Sequence, residues 1–269
     1  MSSCESPHHK ELQDALRAIK KDVESLETYQ FDYSQLKTHK IYASPMDLDE
    51  SSSIKPRFFK PCDASLLLHN PDATYDQTRS AYNEFDSINP DFRRPIYCAR
   101  WMISYFSYYI VASAIHSKDF ILDELWAGVS TSDEPWRGLW GDEYPEYGTV
   151  KAHQVKDRSS THMKAMLYNN LDGKDGELLR GEILVALRLV HTQMRRRRFF
   201  GHMTAPVLLF SFMGPQHARV IEAYFSGTSF VMRTTPLFDL RKKDEALVKT
   251  FGQWYLGEPT GNTKQLLKL

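Results

Sequence analysis

The chain has 269 residues, 42% of them hydrophobic and 13% aromatic, enough apolar surface for a packed core without disulfide or metal staples. Its 34 Lys and Arg are balanced by 34 Asp and Glu, so it lacks the overall basic excess that drives phosphate binding by counterion release, and nucleic acid is not its default partner. Three cysteines, Cys4, Cys62 and Cys98, are an odd number without paired metal spacing, which fits free thiols in a reducing compartment.

Residues 1–21 are polar and charged with no apolar core of a secretory signal, so the expected localisation is cytoplasmic. Leu12, Leu16, Ile19, Val23 and Leu26 step by four and three behind a Ser6–Pro7 start, which predicts an amphipathic helix that packs on its own domain or self-associates. Ser44 to Pro56 is acidic, Ser-rich and aperiodic, a linker by composition. The expected division is therefore 1–57, an N-terminal helix and linker, and 58–269, a single globular α+β domain.

Asn70 and Pro71 supply an N-cap and first turn for a helix carrying Tyr75, Tyr82 and Phe85 before Pro90 closes it. A second helix starts at Pro95 and runs to about His116. Its 15 residues from Trp101 to Ile115 are uncharged, short of the roughly 20 that cross a bilayer, so a buried helix and no membrane partner are expected. Trp101, Tyr105 and Tyr109 make that helix unusually aromatic, a wall able to line a pocket for an organic ligand or to serve as ordinary core. Between Ser130 and Gly148, Trp136 and Trp140 stand among Pro, Gly and carboxylates, a structured loop that is either a lid over such a pocket or a plug at the core edge.

From Glu177 to about Arg198, Leu179, Ile183, Ala186, Leu187, Val190 and Met194 recur at helical spacing, with Asp175 as N-cap. Glu182 and Gln193 fall on the apolar arc of this helix and demand partners; Arg219 is the nominee for Glu182. The four arginines Arg195 to Arg198 suit the negative end of the helix dipole, with a local anionic-partner patch as the other reading. Val207–Met213, Arg219–Phe225 and Phe230–Thr235 then read as an antiparallel meander. Its hairpin register sets Glu222 against Arg233 as an ion pair and Ala223 against Met232. Phe210 is expected on the helix-facing side with Ile221, and Leu209 on the other with Glu222 and Tyr224. The predicted fold class is α+β, mostly helical, with a long buried helix packed on a small three-stranded β-meander.

The segment Arg180–Ile183, Ala205–Val207 and the run Met213 to Val220 resembles predicted proteins of filamentous fungi, over residues 177–240 alone. The resemblance implies no activity, cofactor or catalytic residue. After Asp239, Leu247, Phe251, Trp254 and Tyr255 describe a last amphipathic helix.

No phosphate-cradling glycine loop, nucleophile elbow, Cys-x-x-Cys pair or His-Glu-x-x-His occurs, and no cofactor or metal site is expected. His116 with Asp119, or His153 with Asp157 and His162, are chance-level ligand pairs. The favoured function is a cytosolic binding or accessory protein with an aromatic-lined pocket for a small organic molecule or protein partner. The alternative is a metabolite-tailoring enzyme, of the kind fungal specialised metabolism uses, with Glu182, His202 or His217 as acid or base. A nuclease-like reading around Glu222 is weaker, because no Asp precedes its strand and Tyr224 stands where such sites want lysine.

Overall fold

The computed structural model describes residues 5–68, 82–116, 125–130 and 146–265. Its helices are α1 (Pro7–Glu24), α2 (Tyr33–Thr38), α3 (Pro95–His116), α4 (Arg180–Met194) and α5 (Glu245–Leu256). Strands β1 (Gln30–Asp32), β2 (Ile41–Pro45), β3 (Phe59–Lys60), β4 (Trp126–Val129), β5 (Tyr147–Val155) and β6 (Met163–Asp172) precede α4, as does β7 (Glu177–Leu179). Strands β8 (Val207–Gly214), β9 (His217–Phe225), β10 (Phe230–Thr234), β11 (Phe238–Asp239) and β12 (Glu258–Pro259) follow it.

Eight strands form one mixed sheet in the order β2-β10-β9-β8-β6-β5-β4, with β11 paired to β9. Pairing is parallel at β2/β10 and at β6/β8 and antiparallel elsewhere. This corrects the expected mostly helical fold on a three-stranded meander. The meander β8–β9–β10 exists, but as the middle of a sheet that β4, β5 and β6 extend on one side and β2 on the other.

Two apolar cores lie on the two faces. One gathers Leu12, Leu16, Ile19 and Val23 of α1 with Ile183, Leu187 and Val190 of α4 over Val207, Leu209, Ile221 and Phe230. The other gathers Met102, Phe106 and Ile110 of α3 with Phe251 and Tyr255 of α5 over Phe210, Phe212 and Val220. The architecture is therefore helices, sheet, helices, and β8, buried at every position, is covered on both faces as its unbroken apolar run requires.

Within this frame α1 packs on α4, and β2 is a strand of the main sheet, so residues before the acidic loop share the cores of those after it. Helix α1 starts where its sequence says, with the Ser6 hydroxyl accepting from His9 N at 3.1 Å. Helix α4 starts later than expected, because Glu177–Leu179 pairs with β1 as a strand. Asp175 is not its cap; its carboxylate accepts from Leu237 N at 2.7 Å. Gly181 in the first turn has no room for a side chain, since a Cβ there would sit 2.6 Å from Tyr147 and 2.7 Å from Asn169 Oδ1.

The hairpin register is the predicted one, with Arg233 opposite Glu222 and Met232 opposite Ala223. The faces of β8 are inverted relative to expectation: Leu209 pairs Ile221 on the α4 side and Phe210 pairs Val220 on the α3 side. A one-residue shift at the β8–β9 turn exchanges every side chain between faces, and β8, apolar at successive positions, carries no alternation to pin it. Tyr82 and Phe85 lie outside any helix, and Pro90 opens a short 3-10 turn (Pro90–Arg93) instead of closing a helix. Among the described residues no helix is long and apolar enough to cross a membrane.

Candidate functional site

Glu182 lies in the first turn of α4 with no exposed surface. Arg219 on β9 closes a two-point fork on it, Nε to Oε1 at 2.8 Å and Nη2 to Oε2 at 2.6 Å, and Leu179 N donates to Oε2 at 2.8 Å. Arg219 also donates from Nη1 to Glu177 O at 2.5 Å. Both charges are satisfied inside the core, with Glu182 aimed at the arginine.

The other residues considered for acid or base work do not join it. His202 follows the far end of α4 and shares a 2.6 Å hydrogen bond with Thr263 Oγ1. Twelve residues of helix separate Glu182 from Met194, about 18 Å of rise, so Glu182 and His202 belong to opposite ends of the molecule. His217 begins β9, two residues from Arg219, and its buried Nδ1 has no partner among the described residues.

Glu222 is equally closed. Its Oε1 accepts from Arg57 N and Phe58 N, both at 2.7 Å, and its Oε2 from Arg233 Nη1 at 2.8 Å. Burial raises its carboxyl above the ordinary range, against these donors. Three donors on a fully buried carboxylate leave no lone pair facing solvent for a metal, and no group of three or more metal-ligating side chains occurs among the described residues.

A cleft opens instead on the α3 face, at the end of the sheet where β8 turns into β9. Trp101, Ser104 and Tyr105 from successive turns of α3 form one wall, Tyr82 and Asn83 a second, and Gln216 the third. Its volume is about 80 Å³. The rings are fixed: Tyr82 meets Tyr105 edge-on at 4.9 Å, and Trp101 meets Phe92 at 4.6 Å. The Tyr82 hydroxyl donates to Leu240 O, and burial raises its phenol above the usual value, so it stays a neutral donor. Behind the cleft, Phe106, Phe212 and Phe251 close an apolar recess that Tyr82 and Tyr105 also line.

Gln216 is the polar centre of this wall. It takes the left-handed conformation, φ 61°, which costs a non-glycine residue about 1 kcal/mol. The residue is nonetheless 1% exposed. Nε2 donates to Asn83 O at 2.7 Å, and since a carbonyl only accepts, that bond assigns the amide orientation. Oε1 is then a buried acceptor with no partner among the described residues, on a residue that lines the cleft.

Of the residues expected to bind a ligand, Trp101 and Tyr105 line this cleft. Tyr109 lies one turn further along α3, outside it, with its hydroxyl donating to Leu68 O at 3.1 Å. Trp136 and Trp140 lie outside the described residues, as do Tyr75 and Asp119. Gln216 was missed because its neighbours Gly214 and Pro215 read as turn chemistry; the signal was a long polar side chain set between two apolar strands.

A larger depression, about 410 Å³, lies between the acidic loop Asp47–Glu50 and α5. It is an open valley whose carboxylates serve their own loop: Asp49 Oδ1 accepts from Ser51 N at 2.8 Å and Asp47 Oδ1 from Asp49 N at 3.1 Å. Lys164 on β6 is also buried, with no carboxylate paired to it among the described residues. Its ammonium donates to Tyr255 O at 2.9 Å and Gly257 O at 2.6 Å and lies 4.1 Å over the Trp126 ring. Burial pushes it well below a lysine's usual value, and its two hydrogen bonds close the end of α5.

Comparison with known proteins finds no matching family model, no matching curated protein and no matching solved structure.

Proposed function

We propose that this is a cytosolic binding protein that holds a small organic molecule in the cleft between α3 and the β8–β9 turn, without chemistry of its own. The observation that carries the reading is Gln216 Oε1, a buried acceptor left open at the rim of an aromatic cleft, on a residue whose backbone is itself strained. An N–H or O–H donor on the ligand completes it. A volume of about 80 Å³ exceeds what one water needs and falls well short of the roughly 300 Å³ of a drug-sized site. The ligand is accordingly a single flat ring, or the ring at the end of a longer molecule, held between Trp101, Tyr82 and Tyr105.

The enzyme reading loses its main support because Glu182 is sealed against Arg219. Free, buried Cys62 and Cys98 fit the reducing compartment.

Ligand-observed NMR with a panel of single-ring amides and phenols tests the proposal, alongside Gln216→Leu and Trp101→Ala. The expected result is saturable binding by ring compounds carrying a donor, weakened about tenfold by Gln216→Leu, the worth of one buried hydrogen bond. Binding untouched by both substitutions, or no binding across the panel, would overturn it.

A further inference from the structure

Gln216 is tied down at two points. Its backbone carbonyl accepts from Leu240 N at 2.9 Å, and its Nε2 donates to Asn83 O at 2.7 Å. Asn83 belongs to a strap, residues 82–85, that residues 240–241 hold at both ends: the Tyr82 hydroxyl donates to Leu240 O, and Phe85 N donates to Arg241 O at 2.9 Å. The carboxamide is thereby fixed in orientation as well as in place. Turning it over would set Oε1 against Asn83 O, two acceptors facing one another.

A primary carboxamide carries two N–H donors beside its oxygen. Asn83 O uses one of them, and neither the second N–H nor Oε1 has a partner among the described residues. What remains is one acceptor and one donor on a small planar group, in a fixed order, on a residue that lines the aromatic cleft. A phenol answers the oxygen and leaves the N–H unanswered. A ring with an N–H and an acceptor on adjacent atoms answers both. Asn and Gln carboxamides read a paired edge of this kind when they meet the amino group and ring nitrogen of adenine.

We propose, resting on the reading that this cleft holds a single flat ring, that the ring is a nitrogen heterocycle with a cyclic-amide edge, N–H beside C=O, which pairs with Gln216 through two parallel hydrogen bonds. The ring N–H donates to Oε1, and the ring carbonyl accepts the Nε2 proton on the oxygen's side of the amide, while the opposite proton stays on Asn83 O. Trp101, Tyr82 and Tyr105 supply the aromatic surface on which flat heterocycles stack. Because the strap sets the order of donor and acceptor before the ring arrives, little ordering cost falls on binding, and a ring with only one of the two groups gains only part of the affinity.

NMR titrations with 2-pyridone, phenol and pyridine test this, since the first carries both groups, the second a donor alone and the third an acceptor alone. 2-Pyridone is expected to bind about tenfold tighter than either of the others, the worth of a second hydrogen bond. Gln216→Leu should bring 2-pyridone and phenol to the same affinity. The side-chain amide of Gln216 in the unsubstituted protein gives a readout that needs no variant: its second Nε2 proton should move downfield as 2-pyridone saturates and hold its position with phenol. Equal binding of 2-pyridone and phenol, a preference that survives in Gln216→Leu, or an unmoved amide proton at saturation would each overturn this inference and leave the ring-binding cleft standing. Binding by none of the three would overturn the cleft reading and this inference with it.

Discussion

Glu182 shows how far one residue can be read. Its position on the apolar arc of α4 required a cation, and Arg219 supplies two of its three hydrogen bonds. Glu182→Gln keeps the shape and removes the charge, leaving Arg219 buried at 1% exposure without its counterion. The expected loss is about 1–4 kcal/mol of unfolding free energy in urea, with ring binding at the cleft unchanged in the variant that remains folded. His162 offers a second test at this scale. Burial is the main cause holding it at about 4, below its ordinary 6.5, and its Nε2 donates to Thr260 O at 2.9 Å. The unfolded chain takes up a proton below about pH 6.5 that the folded one refuses until about 4. His162 therefore contributes its full stability above pH 6.5 and loses it as pH falls through that window, by up to about 3 kcal/mol. Urea midpoints measured from pH 7 to 4 should show the slope, to which His153 and His191, also lowered by burial to about 4, contribute as well, and His162→Gln should reduce it by its own share; an unaltered slope would count against a buried neutral imidazole.

At the scale of elements, α5 depends on a strand it does not touch in sequence. Its last carbonyls face inward, and Lys164 from β6 answers Tyr255 O and Gly257 O where a surface helix would use water. Trp126 Nε1 also donates to Gly257 O at 2.9 Å, so Tyr255 O is the group that depends more on the lysine. Lys164→Met is expected to cost about 1–3 kcal/mol, the price of one buried carbonyl left without a donor, and to speed amide exchange in the last turn of α5. Unchanged exchange there would show that the end of α5 is held by other contacts. The β9–β10 hairpin depends on Arg233 in a similar way. Arg233→Met leaves Glu222 with two backbone donors and no cation, and unfolding should become easier by about 1–3 kcal/mol at pH 7.

The whole molecule is closed by its N-terminal helix. Leu12, Leu16, Ile19 and Val23 of α1 are each no more than 4% exposed, and at about 1.5–3 kcal/mol per buried side chain they contribute about 6–12 kcal/mol gross. That rivals the 5–15 kcal/mol stability typical of an entire domain. A chain begun at residue 28 should consequently be insoluble or molten by near-UV circular dichroism, whereas a free-standing 1–57 appendage would come off without effect.

The helices α1, α3, α4 and α5 were legible because a helix writes its buried face into consecutive turns, and the β9–β10 register because a short hairpin pairs neighbours in sequence. Trp101 and Tyr105 were legible as a possible ligand wall for the same local reason. The sheet was not. Strands β5 and β6 carry His153, Gln154, Lys164 and Asn169 at positions that become buried or half-buried only once α5, Ser211 and Arg196 supply their partners, so no local alternation announced them. Ile41 meets Phe230, and Met163 meets Val207 across the whole of α4, pairings between residues far apart in the chain on which periodicity is silent. Gln216 belongs to the same class: its chemistry is ordinary, and what makes it a candidate is a turn that forces its backbone left-handed and a helix from elsewhere in the chain that buries its amide. The sequence by itself determined which faces are apolar and which charges needed answering; the tertiary structure alone decided which polar groups were left open, Gln216 Oε1 and His217 Nδ1 among them, because an unpartnered atom is a property of everything that surrounds it.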